Sequence, residues 1–382
     1  MINKQNDDIF HLSLKASDFE SLKVSAQLTK KQEIVETLFQ KKANPIMKNP
    51  NPRGYRHKAV LSATNIKVGS NNQLRLGFFE EGSKKIKPRI GHFLHHPEID
   101  EIFKTVEKLL VTYKFKAYMS NYKEGLIKHV LIRKSYAFNQ FMVVISTQGN
   151  LFPNAKDFIK ELISIHPNIT TVVQNIHRKD TKLVVLEEEK VLYGKGYIQD
   201  KIDDLIFNIS PRAFYQINPA LMVDLYHKAL EMANISEHDT VLDCYSGIGT
   251  ISLLAAKKAK MVYGLEINDA SVKDAIKNKK ENKVENVNFI LGDVEKTIEE
   301  FKDKVDVLIM DPTRQGASLK FIQAVLNLKP KKIVYIACDP QTQFRDICQL
   351  TKNYNVKEIQ PVDMFTYTAH VENIVLLSLR MR

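Results

Sequence analysis

The feature that most constrains this chain is the regular alternation of short apolar segments with helix-length segments after residue 202. Short apolar runs bounded by turn residues are typical of buried strands. They lie at 239–243, 261–265, 287–291, 305–310 and 333–337. Strands that alternate with helices of about ten residues form βαβ units and a parallel sheet. The sequence therefore predicts an α/β domain over residues 206–382.

The chain before this region has a different pattern. Residues 46–205 contain strand-like runs and two helical segments, which together indicate an α+β domain. The runs lie at 58–64, 74–79, 127–133, 141–147 and 170–174, and the helical segments lie near 98–113 and 155–165. We therefore expect a central domain at 46–205, ahead of the α/β domain.

A short N-terminal segment, residues 1–45, precedes the central domain. It contains one predicted amphipathic helix at 30–41, with an apolar face formed by Ile34, Val35, Leu38 and Phe39. The run Asn49-Pro50-Asn51-Pro52 then breaks the chain, as prolines in quick succession do in loops.

The charge balance indicates a polyanionic partner. The chain has 56 Lys and Arg against 44 Asp and Glu, a net charge of +12, which favours nucleic acid. The alternative is a host whose proteins are all rich in lysine. Three cysteines without a CxxC pair exclude a disulfide scaffold and a cysteine-ligated metal site. A polar N-terminus and the lack of any long apolar stretch predict a cytoplasmic protein without a membrane segment. We also expect a monomer.

A glycine turn follows the first predicted strand of the α/β domain. Its residues are Asp243-Cys244-Tyr245-Ser246-Gly247-Ile248-Gly249-Thr250, and the next strand ends in Glu266. An acid at that position can accept hydrogen bonds from ribose hydroxyls. Ser252 stands where a phosphate-binding turn would have its third glycine. The pattern favours a nucleoside cofactor without pyrophosphate, so S-adenosylmethionine fits and NAD fits poorly. The alternative is a purely structural turn.

Two further strand ends carry reactive groups. One strand ends at Asp311-Pro312, which presents a carboxylate at the edge where α/β sheets bind ligands, although an ordinary Asp-Pro turn is the alternative. Another ends at Cys338, beside a helix that Pro340 opens. A thiol beside a helix N-terminus has a lowered pKa. We therefore expect a reactive thiolate at Cys338, and inert thiols at Cys244 and Cys348.

The last candidate segment precedes the final apolar strand, 374–379. It ends in His370-Val371-Glu372, and residues two apart share one face of an extended chain. Taken alone, this segment is equally consistent with a surface hairpin.

Together these motifs resemble the 5-methyluridine RNA methyltransferases that act on the tRNA T-loop and on 23S ribosomal RNA. The matching motifs occur in the family's order: Phe214-Tyr215-Gln216-Ile217-Asn218, Asp243 to Gly249, Glu266, Asp311-Pro312-x-Arg314-x-Gly316, Cys338-x-Pro340-x-Thr342 and His370-Val371-Glu372. Tyr55-Arg56-x-Lys58 and the run from Gly125 through His129 to Arg133 look like the family's central-domain signatures.

The resemblance implies a fold and a set of roles. The α/β domain would be a Rossmann-like class I methyltransferase domain with a mostly parallel seven-stranded sheet, and the central domain would bind RNA. Cys338 would be the nucleophile that adds to uracil C6, and Glu372 the proton acceptor. The cofactor S-adenosylmethionine would be bound by Gln216, Tyr245, Thr250, Glu266 and Asp311; Thr250 is Asn in some relatives. The target uridine would leave its stack to react.

The chain also departs from the family pattern. About 28 residues precede the first predicted helix, so we expect no N-terminal β-barrel module. The region Lys41-Lys42-Ala43-Asn44-Pro45-Ile46 lacks the cysteines of the family's iron–sulfur cluster, so we expect neither a cluster nor a metal. Thr313, Ser246 and Thr366-Tyr367 replace residues that are usual in the family.

The substrate is the least constrained expectation. The glycine-turn sequence and the central-domain signatures look more like the 23S ribosomal RNA branch, which we favour over the tRNA branch. The absence of the barrel module argues for tRNA. A catalytically idle RNA-binding assembly factor and a small-molecule methyltransferase remain as alternatives from other classes. The intact set of Cys338, Glu372, Gln216 and Asp311 argues against the first, and the net charge against the second.

Overall fold

The structure, a computed structural model, describes residues 17–380 except 81, 180 and 182. The chain divides into two compact units, one formed by the chain up to Pro52 with Ala220–Arg382, the other by Arg53–Pro219. Among the helices of the described residues, none has the length and apolar character that crossing a membrane requires. The expected domain ranges, 1–45, 46–205 and 206–382, remain a prediction, and the compact units divide the chain at different residues.

The N-terminal segment belongs to the same compact unit as the C-terminal residues. It forms α1, Ser17–Glu20, and α2, Val24–Phe39, which starts before the predicted helix at residue 30. The buried face of α2 also differs from the predicted apolar face, because it consists of Gln27, Lys31, Val35 and Leu38. Val35 and Leu38 were expected there. The two polar residues were not, since periodicity counts only apolar positions.

The second unit has an α+β architecture, as predicted. Its elements are β1 (Lys58–Val68), β2 (Asn71–Phe79), β3 (Ile86–Pro88), α3 (Pro97–Thr112), β4 (Ile127–Lys134), β5 (Phe141–Thr147), α4 (Ala155–Ile165), β6 (Ile169–Ile176), β7 (Glu189–Gly194), β8 (Ile198–Ile202) and β9 (Leu205–Ile209). Seven strands form one sheet in the order β3-β2-β1-β4-β5-β6-β7, while β8 and β9 form a separate pair. Apolar residues of α3 and α4 pack with the strands in one core.

Residues 210–218 join this unit through one buried arginine. Arg133 of β4 donates hydrogen bonds from Nη1 to the carbonyl oxygen of Ser210 at 3.2 Å and from Nη2 to that of Ala213 at 2.7 Å. The His57 amide donates to the carbonyl oxygen of Ile217 at 2.8 Å. These bonds place the segment with the central strands rather than with the residues that follow it.

The C-terminal residues form the predicted Rossmann-like sheet. The elements are α5 (Pro219–Ala233), β10 (Thr240–Cys244), α6 (Thr250–Ala256), β11 (Met261–Glu266), α7 (Asp269–Glu281), β12 (Val287–Leu291), α8 (Val294–Glu300), β13 (Val307–Met310), α9 (Leu319–Leu328), β14 (Lys332–Ala337), α10 (Pro340–Leu350), β15 (Tyr354–Val362) and β16 (Glu372–Leu379). The sheet order is β12-β11-β10-β13-β14-β16-β15. Only β16 runs antiparallel to its neighbours in this sheet, and the other neighbouring pairs are parallel. The expectation of a mostly parallel seven-stranded sheet is confirmed.

The core of this unit positions the strand ends. Each residue of β13 is buried, as a strand covered by helices on both sheet faces must be. Leu308 packs in one cluster with Phe321 of α9 and with Val35 of α2. The strand order reverses between β11 and β13, on either side of β10, and α/β sheets bind ligands at such a point.

Candidate active site

The parallel strands end side by side and bring four of the candidate residues to one edge. Cys244 at the end of β10 pairs with Leu265 of β11 and with Met310 of β13, and Met310 pairs with Tyr335 of β14. Tyr245, Glu266, Asp311 and Cys338 lie at or just after these strand ends. Because the carboxyl ends of parallel strands meet at one edge, these side chains share a common site.

The fifth residue of this site comes from the antiparallel strand. Ala337 of β14 pairs with Asn373 of β16, so the next residue, Cys338, lies across from Glu372. Gln343 of α10 fixes this arrangement, since its Nε2 donates to the carbonyl oxygens of Tyr335 at 2.8 Å and of Asn373 at 3.1 Å. Gln343 is fully buried. It was not among the predicted site residues, because nothing in the local pattern distinguishes it from any other helix residue.

The turn after β10 has the backbone conformation that its glycines allow. Gly249 has a φ of 82°, and a Cβ there would lie 2.5 Å from the ring of Phe289, so only glycine fits. Tyr245 also has a positive φ, 67°, which is unusual for a residue with a side chain. Its ring packs against that of Phe321, with centroids 5.6 Å apart. Thr250 begins α6 and is buried, so its side chain offers little surface to a ligand.

Glu266 is oriented by two backbone amides. Gly247 donates to Oε2 at 3.0 Å and Asn268 donates to Oε1 at 2.7 Å. Each carboxylate oxygen keeps a lone pair for a further donor, as two ribose hydroxyls would require. The next residue, Ile267, is 65% exposed and is an apolar candidate for contact with a nucleoside bound by Glu266. Sequence reasoning missed Ile267, although an apolar residue directly after a strand-end acid was a usable signal.

Ser252, in place of the third glycine, stabilises a buried acid. Its hydroxyl donates to Asp243 Oδ2 at 2.5 Å. Burial, with a smaller contribution from the charge of Glu266, raises the pKa of Asp243 to about 7. Asp311 lies close enough that the charge of Asp243 adds to the effect of burial, and the pKa of Asp311 is also raised to about 7. Two carboxyl groups of this site therefore hold protons into the neutral range.

The thiol of Cys338 differs from the sequence-based expectation. Burial first, and then the charges of Glu372 and Asp311, raise its pKa to about 11, where a lowered pKa was predicted. A hydrogen bond and the charge of Arg314 act in the opposite direction. Burial and these two acids therefore outweigh the expected effect of the helix N-terminus. Asp339 caps α10, accepting a hydrogen bond from the Gln341 amide at 2.9 Å. An acidic cap offsets the positive end of the helix dipole.

Glu372 is the least satisfied polar group of the site. It is 1% exposed, and neither carboxyl oxygen has a hydrogen-bond partner among the residues that the structure describes. Burial and the charge of Asp311 raise its pKa well above the usual value, against the charge of Arg314. A buried polar group without a partner costs about 1–3 kcal/mol. Such groups with perturbed pKa values cluster at functional sites.

Arg314 is the cation that counters these acids, and it was not among the predicted site residues. Its motif, Asp311-Pro312-x-Arg314, was recognised, but only the aspartate was assigned a role. The backbone of Arg314 is held by α10, because Thr342 Oγ1 donates to its carbonyl oxygen at 3.2 Å. Arg314 is exposed, so its guanidinium can also reach a ligand.

Gln216 belongs to the other compact unit, Arg53–Pro219. It is 6% exposed and lies in the segment that Arg133 and His57 hold through backbone carbonyls. Arg133 was recognised as a central-domain signature residue, and its contacts give it a structural role. The described part of the chain contains no group of three or more His, Cys, Asp or Glu side chains arranged to hold a metal ion.

The arrangement places a nucleophile directly beside an acid that can exchange a proton. A thiol, a buried carboxyl group and an arginine meet at the sheet edge where the glycine turn and Glu266 could hold a nucleoside. This set can add sulfur to an electrophilic carbon and then move a proton on the neighbouring carbon.

Proteins of known family resemble this chain over nearly its whole length. The family model described as tRNA (uracil-5-)-methyltransferase matches residues 23–380. An uncharacterized RNA methyltransferase of Oceanobacillus iheyensis is 35% identical over 384 residues, covering 97% of this chain and 83% of that protein. Another, of Staphylococcus aureus strain N315, is 36% identical over 373 residues, covering 94% of this chain and 81% of its own length.

A solved structure shares the fold. The Pyrococcus abyssi tRNA (uracil-54, C5)-methyltransferase, crystallised in complex with S-adenosyl-L-homocysteine, superimposes with a TM-score of 0.78 at 24% identity. The match covers 94% of this chain and 84% of that one. At this identity the similarity establishes the fold.

Proposed function

The chain belongs to the tRNA (uracil-5-)-methyltransferase family of S-adenosylmethionine-dependent RNA methyltransferases, and from this premise we propose that it forms 5-methyluridine in 23S ribosomal RNA through a covalent bond from Cys338. The observation that carries the chemistry is the position of Cys338 across from the buried carboxyl group of Glu372. This reaction needs a nucleophile that attacks C6 of uracil and a base that removes the proton from the adjacent carbon, C5.

The residues at the sheet edge fit S-adenosylmethionine. The Glu266 carboxylate, oriented by two amides, would accept the ribose hydroxyls, and exposed Ile267 would contact the adenine ring. Tyr245 and Asp311, at the same sheet edge, would add further cofactor contacts, and the family resemblance also assigns Gln216 and Thr250 to cofactor binding. When bound, S-adenosylmethionine supplies an electrophilic methyl group that uracil C5 takes up, and it leaves as S-adenosylhomocysteine.

The protein's own residues carry the remaining steps. The Cys338 thiol gives its proton to solvent, which Arg314 favours and the neighbouring acids oppose. Sulfur then bonds to uracil C6, and the C5=C6 π pair moves toward C5 and O4, so that C5 becomes nucleophilic. Glu372, which is protonated in the free protein, also gives its proton to solvent before it acts as the base. After C5 is methylated, the Glu372 carboxylate takes the C5 proton, the C–H electron pair restores the C5=C6 bond, and Cys338 leaves as thiolate and regains a proton from solvent. One proton is released in each turnover.

The substrate is supported by sequence and charge. The glycine turn and the central-domain signatures look like the ribosomal RNA branch, and the net charge of +12 suits a polyanion. In this proposal the central domain, residues 46–205, binds the RNA, and the protein acts in the cytoplasm as a monomer without a metal or an iron–sulfur cluster.

Mapping 5-methyluridine in a strain that lacks the gene tests the substrate. The expected result is loss at a hairpin loop of 23S ribosomal RNA, with the tRNA T-loop unchanged, and restoration by the wild-type gene. Loss confined to the tRNA T-loop would overturn the ribosomal assignment while leaving the chemistry intact. Unchanged 5-methyluridine in every RNA would favour the idle assembly factor.

A further inference from the structure

The position of Glu372 depends on its backbone, because its carboxyl oxygens have no hydrogen-bond partner within the described chain. Glu372 is the first residue of β16 and pairs with Val362, the last residue of β15. Residues 363–371, which we call the base loop, connect these two positions. Whatever holds the base loop therefore also determines where the carboxyl group of Glu372 lies.

A buried ion pair anchors the start of the base loop to the N-terminal helix. Lys31 Nζ of α2 lies 2.5 Å from Asp363 Oδ1, and both side chains are completely buried. Lys31 also donates to the carbonyl oxygen of Phe365 at 3.1 Å. Leaving one charge of a buried pair without its partner is strongly unfavourable, so the helix and the loop are coupled.

Two more N-terminal side chains bind the same loop. Asn49 Nδ2 donates to Thr366 Oγ1 at 3.0 Å, and the Thr366 hydroxyl donates to Asp363 Oδ2 at 2.8 Å. Gln27 Oε1 accepts a hydrogen bond from the Tyr367 amide at 2.8 Å. Tyr367 has a φ of 62°, a conformation that residues with side chains rarely adopt, and this bond stabilises it.

The backbone that follows α2 extends this anchor along the sheet edge. Residues 44–49, which we call the N-terminal strap, run beside β15: the Met47 amide donates to the carbonyl oxygen of Pro361, and the Asp363 amide donates to that of Met47, both at 2.9 Å. Met47 bridges Val362, and Val362 pairs with Glu372. Met47, Val362 and Glu372 thus occupy three neighbouring positions across the sheet.

We propose that α2 and the N-terminal strap form a positioning element for Glu372, in which Lys31 and Thr366 are positioning residues for the removal of the C5 proton. The inference rests on the proposed role of Glu372 as the base. It also gives a function to one departure from the family pattern, because the Thr366 hydroxyl is the group that joins Asn49 to Asp363.

Single turnovers with RNA that carries 5-³H-uridine separate the two halves of the reaction. Formation of the protein–RNA adduct, seen on a denaturing gel, reports addition and methylation, and tritium release reports removal of the C5 proton. Thr366→Val removes the hydroxyl with little change in shape. We expect it to slow tritium release by about 10²-fold, the effect of a base displaced by about 1 Å. Adduct formation should keep its wild-type rate, so the adduct should accumulate.

Two matched variants make this result specific. Thr366→Ser keeps the hydroxyl and should restore tritium release to near the wild-type rate. Val35→Ala opens a cavity under α2, where Val35 is fully buried, without touching the polar network, so it reports plain destabilisation. Normal tritium release by Thr366→Val, or equal slowing of both steps in Thr366→Val and Val35→Ala, would overturn the positioning role.

Glu372→Gln, measured in parallel, distinguishes failure of this inference from failure of the proposed function. If Glu372→Gln blocks tritium release and Thr366→Val does not, only the positioning element is wrong. If Glu372→Gln releases tritium normally, Glu372 is not the base, and the inference fails with it.

Discussion

Glu372 lies across the β14–β16 pair from Cys338, and its charge adds to burial in raising the pKa of the Cys338 thiol. The two groups that the proposed reaction needs in their charged forms therefore oppose each other's ionisation in the free protein. Arg314, whose charge acts on both, is the side chain that reduces this conflict. In the free protein these effects favour a protonated thiol over a resting thiolate at neutral pH.

Replacing the proposed base should trap the reaction after methylation. Glu372→Gln keeps the size of the side chain but cannot take the C5 proton, so we expect turnover to fall by about 10²- to 10⁴-fold. The covalent protein–RNA adduct should accumulate at the same time. A denaturing gel after incubation with RNA and S-adenosylmethionine measures this, and Cys338→Ala, which cannot form the adduct, is the control. Normal turnover by Glu372→Gln would assign the base to another residue.

The reactivity of Cys338 should depend on pH as a raised pKa requires. Because the thiol pKa is about 11, its alkylation rate should still increase above pH 9 rather than reach a plateau. Arg314→Gln removes the group that favours the thiolate and should slow alkylation at pH 8, whereas Glu372→Gln should accelerate it. Iodoacetamide labelling in a Cys348→Ser background measures the rate. A plateau below pH 9 would contradict the raised pKa.

The buried acid beside the glycine turn should make stability depend on pH. The pKa of Asp243 is raised from 3.8 to about 7, so between these values the folded protein keeps a proton that the unfolded chain has lost. The contribution of Asp243 to stability therefore decreases as pH rises, by about 1.4 kcal/mol per pH unit. Asp243→Asn lacks this loss and should gain stability relative to wild type between pH 4.5 and 7. Urea unfolding at pH 4.5 and at pH 7 measures the difference in unfolding free energy between Asp243→Asn and wild type. The same difference at both pH values would contradict this prediction.

Ile267 should contribute to cofactor affinity but little to chemistry. Ile267→Ser removes an apolar surface that the adenine ring would cover, and we expect the Kd for S-adenosylmethionine to rise about tenfold, or about 1.4 kcal/mol. Isothermal titration measures the Kd. Leu319→Ser, at another highly exposed apolar residue, is the matched control and should not change it. Equal affinity for wild type and Ile267→Ser would place the adenine ring elsewhere.

The sequence was sufficient where local pattern determines structure. The apolar runs at 261–265, 287–291 and 333–337 became β11, β12 and β14 with at most one residue added at an end. The strand-end positions of Glu266, Asp311 and Cys338 followed from them. β15 was missed, because polar residues such as Asn355, Lys357 and Gln360 interrupt it and leave no continuous apolar run.

Features that join distant segments could not be predicted from local pattern. Lys31 and Asp363 are 332 positions apart, and a lysine in an amphipathic helix is normally assigned to its exposed face. The thiol pKa of Cys338 was predicted in the wrong direction for the same reason. The helix N-terminus was visible in the sequence, whereas the burial of the thiol and its approach to Asp311 and Glu372 arise only on folding.

Tritium release from 5-³H-uridine RNA tests the central claim most directly, since methylation at C5 must displace that hydrogen. With S-adenosylmethionine and ribosomal RNA from a strain that lacks the gene, we predict one tritium released for each methyl group incorporated by the wild-type protein. Cys338→Ala should release none while still binding S-adenosylmethionine. Methyl incorporation without tritium release, or release by Cys338→Ala at the wild-type rate, would contradict a uridine C5 methyltransferase that acts through Cys338.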